Sequence, residues 1–331
     1  MLYIVYVEWG STKGNHAGMA FLAKELNQTF PKETNLIKIP VYHFHGGKYV
    51  ASLIGAIKLT KLLVRVKKKD SIFLMEYFPS LHSWAYWIKK LHAHCHITAI
   101  AHFVNEILDE LYPRSPILLK HASYVDRILV LGNSLKKYLV SKGVDDSKIV
   151  VTYHYVDTHY YSKGNIECLP DVQVIFMGSL KRDYDLLKSI IQKCPTTHFH
   201  LLMGRNNLRD KFSNLDNVTL HPYLEENELR SLMQKSDISL NVMKDTIGSN
   251  VIVTSMASGL AMVVSDVGSI HDYCDERNSV FCTSAQEFSE AIKALTNNRE
   301  LLAKMKEESW RKAQHFSLDN FKVWFKENLL K

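Results

Sequence analysis

Gly248, Ser249 and Asn250 stand at the head of the apolar run VIVTSMASGLAMVVSDVGS, and here residue types first point to chemistry. Glycine permits a tight turn, and serine or asparagine caps a helix. A helix starting there offers free backbone N–H groups and a positive dipole end, which suit a phosphate. The same residues also make an ordinary capped helix start. In the loop GSTKGNHAGMA, Gly14 and Asn15 would let the backbone approach a sugar or diphosphate, or would simply turn a strand into a helix. Lys58, Lys61, Arg65 and Lys68 step by three and four, so they share one helical stripe, with Leu59, Leu62, Leu63 and Val66 on the other face. No acid intervenes before Asp70. The stripe is either the solvated face of a sheet-covering helix or a contact for anionic lipid or a diphosphate-lipid acceptor. His94 and His96 fall on one side of a strand with Cys95 opposite, but no second ligand pair at finger spacing accompanies them, so no metal is expected.

These residues need a scaffold, and the hydropathy pattern supplies one. Continuous apolar runs read as strands: LYIVYV, NLIKIPV, SIFLMEY, HITAIAHF, RILVLG and KIVVTYH, then VQVIFMG, HFHLLMG, NVTLHPY, ISLNVM, AMVVSD and SVFCT. Helical segments fall between them near 17–29, 50–68, 81–92 and 133–142, and later near 183–193, 225–235, 250–258, 284–296 and 299–314. Strands without polar alternation, separated by helices, belong to parallel sheets covered on both faces. Two such blocks in series predict two doubly wound, Rossmann-like α/β domains facing a central cleft. The expected partition is 1–155, 156–312 and a C-terminal helix in 313–331 packing back on the first domain. The join is read in the polar stretch 155–171, which carries Gly164 and Pro170. His102 then ends a strand, and Glu106 and Asp109 follow it as cleft carboxylates if their loop folds inward.

Length and composition agree with two soluble domains: 331 residues, 46% hydrophobic and 23% charged. The five cysteines lack CxxC spacing, which fits free thiols in a reducing compartment. The first residues, MLYIVYVEWG, read as a strand with no basic leader, and the chain carries no run of membrane-spanning length. The formal charge is +9 over residues 1–153 and −2 over 154–331. A basic first half suggests an anionic partner. Nucleic acid is not expected, because no recognised module or aromatic-interleaved basic tract occurs.

The second half resembles the nucleotide-sugar domain of GT-B glycosyltransferases, specifically the retaining family 4. There the pattern E-G-F-x-N-x-L-L-E-A-M-A-x-G-x-P-V-V-A-S-D-V-G-G corresponds to TIGSNVIVTSMASGLAMVVSDVGS here. Asn250, Met256, Ala257, Gly259, Val263, Val264, Ser265, Asp266, Val267 and Gly268 fit it. FMGSLKRDYDLL is similar to the family's phosphate loop, and HYVD stands where its interdomain Asn-Gly-Val-Asp is usual. The resemblance runs from about 125 to 300 and is weaker in the first half. Both family glutamates are replaced, by Thr246 and Thr254; Ala261 replaces a proline and Ser179 an arginine.

The resemblance implies a hexosyl- or related glycosyltransferase that uses a nucleotide diphosphate-sugar, with retention and no cofactor. Its expected acceptor is a polysaccharide or lipid-linked glycan of a bacterial surface. It also implies a cytoplasmic protein, peripheral on the inner face of the membrane, with its first domain on the acceptor side. Gly178, Lys181 and Arg182 would hold the diphosphate with the backbone at Gly248, Ser249, Asn250 and Val251; arginine's planar fork suits two phosphate oxygens. His102 would contact the donor sugar. Asp245 would stand in for the first glutamate, and Thr254 would meet the ribose with one neutral hydroxyl in place of a carboxylate. The contrasting expectations are a GT-B subunit that has lost catalysis and binds a partner or glycan, and an epimerase of similar fold, for which no acid/base pair stands out.

Overall fold

The computed structural model describes residues 1–8, 14–41, 47–78, 80–164, 171–204 and 206–330, with the side chain of Lys48 excepted. The chain divides into two units, Met1–Tyr153 with Asp319–Lys331, and His154–Leu318. The chain thus leaves the first unit between Tyr153 and His154, ahead of the polar stretch read as the join. Residues 165–170 of that stretch, Cys168 among them, lie outside the described residues, as do the loop residues 10–13.

The first unit alternates strand and helix. In order these are β1 (Leu2–Glu8), α1 (Met19–Thr29), β2 (Thr34–Pro40), α2 (Gly47–Arg65), β3 (Ser71–Tyr77) and α3 (His82–Leu91). There follow β4 (His96–Ala101), α4 (Asn105–Leu111), α5 (Ser115–Ser123), β5 (Arg127–Val130), α6 (Asn133–Ser141) and β6 (Ile149–Val151). The six strands pair in parallel in the order β2-β1-β3-β4-β5-β6. The second unit continues with β7 (Gln173–Phe176), α7 (Tyr184–Lys193), β8 (His198–Leu202), α8 (Arg209–Phe212), β9 (Val218–His221) and α9 (Glu226–Gln234). It is completed by β10 (Ile238–Asn241), α10 (Asn250–Ala257), β11 (Ala261–Ser265), β12 (Ser279–Cys282), α11 (Ala285–Asn297) and α12 (Arg299–His315). Its parallel sheet runs β12-β11-β10-β7-β8-β9. The final helix, α13 (Leu318–Leu329), belongs from Asp319 onward to the first unit. The preceding helix runs on to His315, so the boundary stands at Leu318/Asp319 and not at 312/313.

The strand interiors explain the pattern. Ile4 and Val5 in β1, Ile72–Met75 in β3, Ile238 and Leu240 in β10 and Ala261–Val264 in β11 are fully buried. Such strands carry apolar residues on both faces and show no alternation. Phe321 and Phe325 of α13 are equally buried; the Phe325 ring lies 5.9 Å from that of Phe30 and 6.1 Å from that of Phe73. Lys322 pairs with Glu25 of α1 at 2.9 Å.

Both sheets place the strand order's reversal at a defined point: between β1 and β3 in the first unit, and between β7 and β10 in the second. Loops leaving the carboxyl ends of two such strands diverge to opposite faces and leave a crevice, where ligands bind in open α/β sheets.

Candidate functional site

In the second unit the reversal point brings together the loop after β7 and the loop after β10. They are stitched by an antiparallel bridge between Arg182 and Met243, by Lys244 N donating to Lys181 O at 2.8 Å, and by Asp183 N donating to Val242 O at 3.2 Å. The first loop turns at Gly178, φ +86°, and at Lys181, φ +51°. A non-glycine residue in that left-handed region is uncommon and marks a backbone held by its surroundings. The bend delivers Arg182 inward.

Arg182 is 7% exposed. Its guanidinium lies against Gly178, where an added β-carbon would stand 2.7 Å from Nη2, and 5.8 Å from the centre of the Phe176 ring. Nε and Nη1 find no hydrogen-bond partner among the described residues. Burial lowers its pKa to about 10, still well above neutrality, so the group is a desolvated cation. A buried charge without a counter-ion costs several kcal/mol, so this position attracts an anion.

The second loop leads into a helix start. Ser249 is the N-cap of α10, its hydroxyl accepting from Ile252 N at 3.4 Å. Asn250 is therefore the first helical residue and not the cap, and its Oδ1 is buried without a partner among the described residues. Val251 follows in the first turn, which carries no acid. Gly248 has φ +96°, and a β-carbon there would stand 2.3 Å from the Tyr273 hydroxyl. Tyr273 Oη accepts from His154 N at 2.9 Å. Gly268, φ +56°, is tighter still: its β-carbon would lie 2.1 Å from Thr246 O and 2.5 Å from Asp245 Oδ1. The DVGS segment thus packs directly on the 245–246 backbone, and Ser269 N donates to Thr246 O at 2.7 Å.

The two threonines act inside the fold of this loop. Thr246 is buried and its hydroxyl accepts from Gly248 N at 3.1 Å, fixing the turn. Thr254 is buried and donates to Asn250 O at 2.7 Å, one turn back along α10. Its proton is committed to the helix, and only its lone pairs are free to accept. Asp245 turns its carboxylate onto the same loop, Oδ1 accepting from Thr246 N at 2.8 Å. At the end of β11, His271 Nε2 meets Asp266 Oδ1 at 2.7 Å and stacks on Phe281, a couple the sequence did not single out.

In the first unit, Gly14 (φ +90°) and Asn15 lie between β1 and α1, and among the described residues no heavy atom stands within 4 Å of a β-carbon on Gly14; the positive φ itself favours glycine there. His102 follows the end of β4. Its Nε2 lies 3.4 Å from Glu76 Oε2 on β3, and its Nδ1 is buried without a partner among the described residues. Glu76 was legible as the lone carboxylate in SIFLMEY. Glu8, buried at the end of β1, binds both Lys24 and Lys38, and these two cations hold its carboxyl below the usual range.

Three expectations change. Glu106 and Asp109 lie on α4, not on an inward loop; Asp109 is an exposed partner of Lys142 at 2.6 Å and of the Tyr138 hydroxyl at 2.9 Å. The cationic stripe is interrupted: Lys58 folds back to donate to Lys38 O, and Lys68 lies beyond the end of α2. His94 precedes β4 and so does not share a strand face with His96, which begins that strand.

Residues 171–298 match the family model described as glycosyl transferases group 1. No curated protein matches the chain in sequence. Among solved structures, sucrose-phosphate synthase (tll1590) from Thermosynechococcus elongatus superposes with a TM-score of 0.77 at 10% identity, over 98% of this chain and 97% of that one. Anabaena Alr3699/HepE in complex with UDP-glucose gives 0.73 at 12% identity, over 99% of each chain. The lipopolysaccharide outer core galactosyltransferase WaaB in its apo form gives 0.69 at 12%, over 98% of this chain and 100% of that one. At these identities the likeness is one of fold, and the fold is GT-B.

Proposed function

We propose that this chain, of the glycosyltransferase GT-B type by fold and by the family of its second unit, moves a hexose from a nucleotide diphosphate-sugar to a glycan. The observation that carries the reading is Arg182, a buried guanidinium with two donors unpartnered among the described residues, on one of the two loops at the sheet's reversal point, the other of which leads into the acid-free first turn of α10. A diphosphate satisfies both features: its oxygens accept from the fork and from the helix amides. The solved HepE complexes hold UDP and UDP-glucose, which favours a uridine donor here.

In the proposed reaction the bond from the anomeric carbon to the phosphate oxygen breaks, and the leaving diphosphate gathers negative charge. Lys181, Arg182 and the amides of residues 248–251 stabilise that charge as it develops. The acceptor hydroxyl forms the new glycosidic bond on the same face and gives its proton to the departing phosphate, so configuration is retained and no cofactor enters the reading. Asp245 is assigned an electrostatic role near the sugar, and His102, oriented by Glu76, a contact to sugar hydroxyls. The acceptor is assigned to a polysaccharide or lipid-linked surface glycan, met at the cytoplasmic side of a membrane.

One observation favours a second reading, a binding subunit without catalysis: Thr246 spends its hydroxyl on the turn and Thr254 donates to the helix, so no carboxylate grips the ribose diol. Thermal shift with UDP, GDP, ADP, CMP and dTDP, followed by hydrolysis of the matching sugar nucleotide, separates the two. A ligand at about 100 times its dissociation constant adds roughly 2.7 kcal/mol to stability. A shift with turnover supports the enzyme; a shift without turnover supports the subunit; no shift with any nucleotide removes the donor site.

A further inference from the structure

The outward side of α2 is apolar. Tyr49, Leu53, Ile57 and Val64 are 70%, 63%, 47% and 83% exposed. With Lys61 completing the row they step by four and three, an arc of about 120° on a helix of 3.6 residues per turn. The opposite side of the same helix is the one in the core, through Leu62 and, just past its end, Val66. The next helix continues the surface. His92, which ends α3, bonds through Nε2 to Leu63 O at 2.7 Å, holding the carboxyl ends of the two helices side by side. There Trp87 and Leu91 are exposed as well, and the Lys90 ammonium stands 5.0 Å from the Trp87 ring.

The charges on this surface have one sign. From Gly47 to Lys69 the chain carries Lys and Arg and no acid, and from Phe78 to His94 it carries Lys89 and Lys90 and again no acid. Lys61, Arg65, Lys67, Lys68 and Lys69 flank the apolar row or follow it. A contiguous apolar surface on a monomer marks an interaction site. A protein partner would have to neutralise this ring of cations with acids of its own. An anionic bilayer does so everywhere, and its interface accepts an apolar helix face with Trp and Tyr at headgroup level.

We propose that α2 and the end of α3 form a membrane-insertion surface, which seats Tyr49, Leu53, Ile57, Val64, Trp87 and Leu91 in the interface of an anionic bilayer while Lys61, Arg65 and the Lys67–Lys69 run bind its headgroups. The inference rests on the fold of the first unit and does not require the donor site to work. It deepens the acceptor assignment in one respect. The helix α2 begins after the carboxyl end of β2, so its row starts at the sheet edge that carries Glu8, Glu76 and His102. A lipid-linked acceptor held in the interface would present its headgroup at that edge.

Co-sedimentation with vesicles tests it, comparing phosphatidylcholine alone with phosphatidylcholine mixed with phosphatidylglycerol. The wild type binds the mixed vesicles, and part of the binding survives high salt because apolar insertion is not screened. The triple change Leu53→Ser, Ile57→Ser and Val64→Ser weakens partition by on the order of a hundredfold and removes the salt-resistant part. Lys61→Glu with Arg65→Glu weakens it by more than about tenfold and spares the salt-resistant part, as each basic residue near an anionic surface is worth about fivefold. Both variants keep the wild-type melting temperature and the wild-type response to UDP, which separates a failure of this surface from a failure of the donor site. Absence of binding to either vesicle, or equal binding by the Ser variant, overturns the proposal. So does a concentration-dependent dimer in sedimentation velocity that the Ser variant abolishes, since the face would then belong to a second copy of the chain.

Discussion

Arg182 illustrates what a position in the sequence conveys and what it withholds. Its type and its place after Gly178 pointed to phosphate, but its burial depends on a bridge to Met243, a residue far along the chain that only the folded sheet brings alongside. A buried cation kept for a ligand leaves the empty protein less stable than it could be, since a well-packed apolar replacement is often neutral or stabilising. Arg182→Met is therefore expected to keep or raise the melting temperature of the empty protein while weakening UDP binding by about ten- to a hundredfold, the worth of a hydrogen bond to a charged group. Calorimetry and a thermal melt read the two effects together, and a loss of stability without loss of affinity would make Arg182 structural. Gly268 tests the loop from the other side. Gly268→Ala places a methyl group 2.1 Å from Thr246 O at φ +56°, and is expected to cost about 2–3 kcal/mol and to displace Asp245. Urea unfolding measures the first and sugar-nucleotide hydrolysis the second. The roles of Thr246 and Thr254 are not legible in the sequence, because a threonine hydroxyl both accepts and donates and turns to whichever backbone group the fold leaves nearest: Gly248 N for Thr246, Asn250 O for Thr254.

At the scale of elements the strands were the legible part. A parallel strand covered on both faces reads as an unbroken apolar run, and each such run became a strand of one sheet or the other. The helices α4 and α5 are not legible in the sequence, being short, with three acids in α4 and with Pro113 and Pro116 breaking the pattern between and at the start of them. For the helix α2 the sequence places Leu62 and Val66 on the inner face, where they are buried, and Lys61 and Arg65 outside, where they are exposed; what its pattern does not single out is the second apolar row, Leu53, Ile57 and Val64, beside the cations. The β1–α1–β2 corner has an electrostatic tie that can be tested. Lys24 on α1 and Lys38 on β2 hold the Glu8 carboxyl below its ordinary pKa. A depressed carboxylate pKa means a contribution that is complete above the unfolded value, about 4.3, and lost as pH falls through the folded one. Glu8→Gln is expected to cost about 1–2 kcal/mol at neutral pH, the lysines being partly exposed, and almost nothing in strong acid. Urea denaturation of both proteins across that range checks the closing gap; a constant gap would assign the effect to packing.

At the scale of the molecule, the first unit is built from two stretches of chain, and the second stretch inserts Phe321 and Phe325 into its core. Phe325→Ala is expected to cost about 3–5 kcal/mol. Because Phe325 packs on Phe30 and Phe73, the loosening should appear as faster amide exchange in α1 and β3 while the sheet of the second unit stays protected. Uniform acceleration through both units would show that they unfold as one. The same interleaving sets an order for synthesis. Domains generally fold as they emerge, the earlier first. Here the earlier unit lacks two core phenylalanines until α13 is made, whereas residues 154–318 emerge as one unbroken piece. The unit begun first is thus the one finished last: until residues 319–331 are made its sheet lacks Phe321 and Phe325, when every strand of the second sheet has already been synthesised.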